Sequence, residues 1–190
     1  RIIGLTGNIA TGKSAVMRLA AERGALTIDA DRVVHELLAA DAAIQQAVVA
    51  AFGPGVRRAG GGIDRVALGS IVFDDPQRLR QLEAILHPAV RTEIARRVQT
   101  SDAPVIVIEA IKLLEGPLAA LCDQVWVTAC ARETQMARLR VCRGMSEAAA
   151  AARIDAQSPQ ADKIARADVV ITTDGLLRET EEQFVAAWGV

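Results

Sequence analysis

The octapeptide Gly7-Asn8-Ile9-Ala10-Thr11-Gly12-Lys13-Ser14 sets two glycines with four residues between them and follows the second at once with a lysine and a hydroxyl. This matches the phosphate-binding P-loop at every fixed position. A polyphosphate needs several backbone N–H donors pointing inward around it. A glycine-punctuated turn entering a helix presents them without Cβ clashes. On this reading residues Gly7, Asn8, Ile9, Ala10, Thr11, Gly12, Lys13 and Ser14 bind a nucleotide. Lys13 reaches the β- and γ-phosphates, Ser14 gives its hydroxyl oxygen to Mg²⁺, and the following helix turns its positive end to the anion. The motif leaves open ATP or GTP, hydrolysis or transfer.

Residues elsewhere narrow that choice. No aspartate is followed three residues later by glycine, and Asn8 is the only asparagine, so the switch and base-reading motifs of a GTPase are both missing. An ATP-using transferase is the better class. Asp29-Ala30-Asp31 follows an apolar run that reads as the second strand. In a parallel sheet its carboxyl end opens onto the same crevice as the loop. A carboxylate there accepts the proton of an acceptor hydroxyl or helps to hold hydrated magnesium; equally, either aspartate caps the next helix. Arg138, Arg140 and Arg143 precede Gly144-Met145-Ser146 and the alanine-rich stretch from Glu147 to Ala156. Residues 138–160 read either as a mobile lid that brings guanidinium groups over the phosphoryl and expels water, or as a solvated helix with ordinary surface arginines.

The elements that must carry these residues follow from the apolar runs at Ile2 to Leu5, Leu26 to Ile28, Val105 to Ile108, Val125 to Val127 and Val169 to Ile171. Each is short, rich in β-branched residues and followed by turn residues and helical periodicity. The fold class expected is therefore α/β, a doubly wound, five-stranded parallel sheet. Between the second and third runs lie about 75 residues without a strand pattern, too many for a plain crossover, so 32–100 is expected to form a helical insertion. Its helices are expected at Arg32 to Ala40, Ala42 to Phe52, Arg65 to Phe73, Pro76 to Leu86 and Pro88 to Gln99, with a flexible joint at Gly53-Pro54-Gly55 and Gly60-Gly61-Gly62. The whole of 1–190 is read as one domain.

Composition agrees with that picture and excludes others. The 190 residues are 51% hydrophobic and 24% charged, with a formal net charge of -1, so there is ample core material and no polyelectrolyte signature for nucleic acid. Only Lys13, Lys112 and Lys163 are lysines, the other cations being arginines, which suits either phosphate binding or a coding bias. Cys122, Cys130 and Cys142 show no C-x-x-C spacing. The odd count, the opening in a core strand and the lack of a bilayer-length apolar stretch point to a cytoplasmic protein without a membrane partner. The missing initiator Met suggests slight trimming at the N-terminus.

At this point the chain resembles the dephospho-CoA kinases over essentially its whole length. The resemblance is carried by Gly4-Leu5-Thr6-Gly7 with the P-loop, Ile28-Asp29-Ala30-Asp31, Arg65 to Phe73, Leu82 to Val90 with its Leu86-His87-Pro88, Glu109 to Glu115, Arg143, Arg153-Ile154-Asp155-Ala156-Gln157, and Ala167 to Ile171 before Gly175. It implies transfer of the ATP γ-phosphoryl to the ribose 3′-hydroxyl of dephospho-CoA, with ATP, Mg²⁺ and dephospho-CoA as ligands. It implies that the insertion binds the acceptor. It further implies Asp31 as general base, Lys13 and Arg143 as catalytic cations, Ser14 as the metal ligand, and His87 beside Asp31 on the acceptor side. A monomer or weak homo-oligomer is expected.

Asn8 and Ala10 stand where the family commonly places glycines, Lys112 where it has the proline of a Pro-Leu-Leu segment, and Thr172-Thr173-Asp174-Gly175 where the adenine-side loop is richer in asparagine. The competing readings are another P-loop nucleoside or small-metabolite kinase and a nucleotide-binding protein without catalysis.

Overall fold

The computed structural model describes residues 1–73 and 75–189. In chain order its first elements are β1 (Ile2–Thr6), α1 (Lys13–Glu22), β2 (Leu26–Asp29), α2 (Ala30–Ala40), α3 (Ala42–Phe52), α4 (Arg65–Val72) and α5 (Pro76–Gln99). Then follow β3 (Ile106–Glu109), β4 (Gln124–Ala129), α6 (Arg132–Arg143), α7 (Glu147–Asp155), α8 (Gln160–Ile164), β5 (Val169–Thr172) and α9 (Leu177–Trp188). They fall into two compact units, residues 1–28 with 102–190, and residues 29–101.

The sheet has the strand order β2-β3-β1-β4-β5 and is parallel, as the apolar runs predict. Ile3 lies opposite Val107 of β3, and Leu5 opposite Trp126 of β4. Two-sided burial accounts for the unbroken apolar character of β1, where Ile3, Gly4, Leu5 and Thr6 are all buried. On one side α1 and α9 bring Val16, Leu19 and Phe184 onto the strands. Phe184 meets Trp126 edge-on at 5.8 Å between centroids and stacks on Trp188 at 5.0 Å.

The second unit is helical and has its own core, including Leu38, Val48, Ile63, Leu68, Leu82 and Leu86. Here three sequence expectations are corrected. Pro76 to Leu86 and Pro88 to Gln99 are one helix, α5, with Pro88 in its interior. Leu82, Leu86, Val90 and Ile94 are buried at every fourth position, whereas Ala84 and Pro88 are both exposed, so the carbonyl freed by the missing N–H is on the exposed face of α5. An interior proline costs about 3 kcal/mol, while each buried large aliphatic contributes about 1.5–3 kcal/mol, so the apolar stripe carries the helix through.

The glycine-rich stretch expected as a flexible joint is instead a bonded turn. Pro54–Val56 form a 3₁₀ turn, Arg57 and Ile63 form an antiparallel bridge, and the Arg58 amide donates to the Gly62 carbonyl at 3.1 Å. The buried side chains of Val56 and Ile63 pin both ends. α2 begins at Ala30 rather than Arg32 because Asp29 caps it, accepting from the Arg32 amide at 3.1 Å.

Among the described residues no single helix is long and apolar enough to cross a membrane. The bent pair α2 and α3 passes by composition, but Val33, Leu38 and Val48 on it are buried.

Candidate nucleotide site

β1 delivers the chain into the loop at Gly7, and α1 begins at Lys13. Gly7 has φ +151° and Gly12 φ +89°, backbone states that side chains rarely adopt. Space forbids a side chain at Gly7 as firmly and is tight at Gly12. A Cβ on Gly7 would lie 2.4 Å from the Thr128 Oγ1, and one on Gly12 would lie 3.0 Å from the Thr173 methyl. Ala10 is the one non-glycine residue with positive φ among the described residues, at +61°. Gly12 caps α1 without a side-chain hydrogen bond, so no side chain claims the amides at that helix start.

The Lys13 ammonium folds back over the loop, donating to the Gly7 carbonyl at 3.0 Å and the Asn8 carbonyl at 3.2 Å. It also lies 3.8 Å from the Glu109 carboxylate at the end of β3. Ser14 is exposed in the first turn of α1, and its hydroxyl makes no hydrogen bond among the described residues.

A set of threonines holds the loop from beneath. The Thr11 hydroxyl bonds the Thr128 hydroxyl at 2.8 Å and donates to the Asn8 carbonyl at 2.8 Å. The Thr173 hydroxyl donates to the Thr11 carbonyl at 2.9 Å. Thr173, in the segment expected on the adenine side, is thus a buried support of the loop. Its neighbour Asp174 accepts from the Thr134 hydroxyl and the Ala131 amide, and these bonds, the Thr134 bond first, hold its carboxyl below the usual range. That carboxylate fixes the start of α6.

The helices after β4 grip the loop from above. Gln135 on α6 donates to the Ile9 carbonyl at 2.7 Å, and Gln157, just beyond α7, accepts from the Ile9 amide at 2.6 Å. Arg138 donates to the Ala10 carbonyl at 3.0 Å, to the Thr173 hydroxyl at 2.9 Å and to the Thr173 carbonyl. Ile9 and Ala10 pack on the apolar group of Leu139, Ala150 and Ile154. An exposed bidentate pair, Arg132 to Asp155, ties α6 to α7. A cleft of about 340 Å³ flanks the loop, lined by Asn8, Gln135, Asp155 and Gln157 among others.

The structure therefore gathers Gly7 through Ser14 into one cradle. Arg143, the last residue of α6, is exposed and makes no hydrogen bond or ion pair among the described residues. Asp31 and His87 belong to the second unit. Asp31 is exposed in the first turn of α2, and His87 is exposed in the middle of α5; neither is bonded to another described residue. Sequence reasoning left Glu109 and Lys163 without a role and did not single out Gln135. Their common signal is being buried or half-buried polar side chains at a strand end and on helices, which only packing reveals.

Comparison with known proteins agrees with this geometry. Residues 1–179 match the family model described as dephospho-CoA kinase. A dephospho-CoA kinase of Symbiobacterium thermophilum is 47% identical over 191 residues, covering 99% of this chain and 80% of that protein. One of Geobacter sulfurreducens is 42% identical, covering 98% and 96%. Among solved structures, a Thermus thermophilus protein superposes with a TM-score of 0.85 at 32% identity, covering 98% of this chain and 95% of that one. A dephospho-CoA kinase of Campylobacter jejuni gives 0.67 at 25% identity, covering 99% and 95%. A shikimate kinase of Bacteroides thetaiotaomicron gives 0.60 at 13%, covering 99% and 96%, and shares the fold. With its P-loop intact and a family match running almost end to end, the chain belongs to the dephospho-CoA kinase family.

Proposed function

We propose that this chain transfers the γ-phosphoryl of ATP to the ribose 3′-hydroxyl of dephospho-CoA. The observation that carries the reading is the pre-formed loop of residues 7–14, with the Lys13 ammonium at its mouth, in a chain that matches the family over residues 1–179. Phosphoryl transfer asks the protein mainly for positioning and charge neutralisation, and the loop amides with Lys13 provide both.

Asp31 acts as the general base, taking the proton of the 3′-hydroxyl as its oxygen attacks the γ-phosphorus and ADP leaves. Its exposed carboxylate, unspent on any cap or ion pair among the described residues, suits that role. Asp29, by contrast, is occupied as the cap of α2. His87 contributes to acceptor binding, and residues 32–100 form the acceptor-binding part of a single P-loop kinase domain. Residues 138–160 serve as the lid, with Arg143 joining the phosphates when the lid closes; its freedom from other partners supports this.

The residues fit magnesium as well. Mg²⁺ keeps several waters and takes one or two protein oxygens beside the phosphates, and the unbonded Ser14 hydroxyl at the start of α1 meets that need. When bound, the ion would neutralise charge on the phosphates. On this reading the protein works in the cytoplasm as a monomer or weak homo-oligomer.

The deciding measurement is ADP release in the presence of ATP and Mg²⁺, with dephospho-CoA, with shikimate and with no acceptor. Turnover that requires dephospho-CoA is expected. Turnover supported by a different alcohol alone would reassign the acceptor, and nucleotide binding with no acceptor-dependent turnover would make the chain a binding protein.

A further inference from the structure

Lys163 is a charged residue buried within the first unit and 3% exposed. It sits on α8, away from the loop in sequence, and its ammonium donates to the Asn8 side-chain carbonyl at 3.0 Å and to the Ile111 carbonyl at 3.1 Å. Glu115, 3.9 Å away, is the nearby countercharge. Burial holds this ammonium below the usual lysine range, with Glu115 pushing the other way. An ion kept under those conditions needs its hydrogen bonds, since losing one in a desolvated place costs far more than losing it at the surface.

Asn8 is the other half of the arrangement. Its side-chain amide donates to the Ser158 carbonyl at 3.0 Å while its side-chain oxygen accepts from Lys163. Its backbone carbonyl accepts from Lys13 at 3.2 Å and from the Thr11 hydroxyl at 2.8 Å. Two lysine ammoniums therefore converge on one residue, one at its backbone and one at its side chain. A glycine in this place would keep the first contact and lose the second. Asn8 is 5% exposed, so water does not readily replace what the side chain supplies.

We propose that Lys163 is a positioning residue for nucleotide binding, acting through the Asn8 side chain. It fixes the first turn of the P-loop and hence the place from which Lys13 meets the phosphates. The inference rests on the reading of residues 7–14 as a nucleotide cradle and does not depend on which acceptor is used.

The test is a double-mutant cycle in the full chain with Lys163→Met, Asn8→Gly and the double variant. The readouts are affinity for the non-hydrolysable ATP analogue AMPPNP with Mg²⁺, and melting temperature. Each single substitution is expected to weaken AMPPNP binding about tenfold, and the double variant no more than about twofold beyond the weaker single variant, as for residues acting as one unit. The same fold-loss for Lys163→Met in the Asn8→Gly background as in the natural one would overturn the proposal, because a merely structural lysine lowers melting temperature and affinity alike in both. If Lys163→Met does not fold, Asn8→Gly still decides, since it removes the side-chain amide through which Lys163 acts. Unchanged AMPPNP affinity in that variant would also overturn it. Binding is measured without acceptor, so failure to phosphorylate dephospho-CoA leaves this test standing. Absence of AMPPNP binding by the unaltered chain would remove the nucleotide reading and the inference together.

Discussion

The loop of residues 7–14 and the carboxylate of Asp31 stand at opposite extremes of local constraint. Every carbonyl from Gly7 to Thr11 that the hydrogen bonds describe is claimed by Lys13, a threonine, Gln135 or Arg138, and Gly7 sits in space where a methyl would collide. Asp31 is exposed and bonded to nothing among the described residues, although Asp29, two positions earlier, spends its carboxylate on the Arg32 amide. The roles proposed for the two give the contrast a chemical reason. Donors that stabilise phosphate charge work only if they are already aimed, so their loop is braced from both sides. A general base must keep a free lone pair for a hydroxyl that arrives with the substrate, so a permanent partner would disable it.

That comparison breaks most sharply at Asp31→Asn. This substitution is expected to lower kcat by about 10²–10⁴-fold, the range for a general base, while AMPPNP affinity stays within about threefold. Asp29→Asn is the control: asparagine caps nearly as well as aspartate, so kcat should stay within about threefold. Steady-state kinetics with dephospho-CoA and calorimetric AMPPNP binding check both. Equal losses in the two variants would mean that the helix start, and not the free carboxylate, is what matters.

The same contrast explains how much of the molecule was legible in the sequence. The strands were visible as short apolar runs, most continuous in β1 and β3 where burial is most complete, and the P-loop because its spacing is dictated by the ligand. Pro88 misled because local preference marks it as a helix start, while the stripe of Leu82, Leu86, Val90 and Ile94 that overrides it is a tertiary effect. Gln135, Gln157 and Lys163 could not be given their roles in supporting the loop, since they reach it from more than a hundred residues away in sequence, and nothing in their spacing points to it. Asp31 was legible by resemblance. Its local geometry adds only that it is unspent.

A smaller effect sharpens the comparison inside the cradle. Ala10 holds φ +61°, where a side chain costs about 1–2 kcal/mol relative to glycine. Its methyl also packs on the Leu139, Ala150 and Ile154 group, where full burial of one such carbon is worth about 0.8 kcal/mol. The strain exceeds the packing, so Ala10→Gly is expected to raise stability by about 0.5–1 kcal/mol in urea unfolding. A loss of stability instead would show that the contact between the loop and α6–α7 outweighs the backbone cost.

An effect no larger, and one that fades with acid, lies in the scaffold of the second unit, where charges are spent on one another rather than on a ligand. On α5, Glu93 accepts from Arg96 at 2.7 Å and from Arg97 at 2.8 Å, and Arg97 also reaches Glu36 on α2. The Arg96 hydrogen bonds first, then those of Arg97, hold the Glu93 carboxyl at about 2, against an ordinary value of 4.5. Folding therefore favours its charged form. The stabilisation is complete above about pH 4.5, fades as pH falls toward 2 and is gone below it. The pairs are partly solvated, so Glu93→Gln should cost only about 0.5–1 kcal/mol at pH 7. That cost should shrink steadily between pH 4.5 and pH 3 when the two proteins are unfolded in urea side by side. A cost that stays constant across that interval would mean that Glu93 stabilises α5 by packing, and that the second unit, like its Asp31, makes little structural use of its charge.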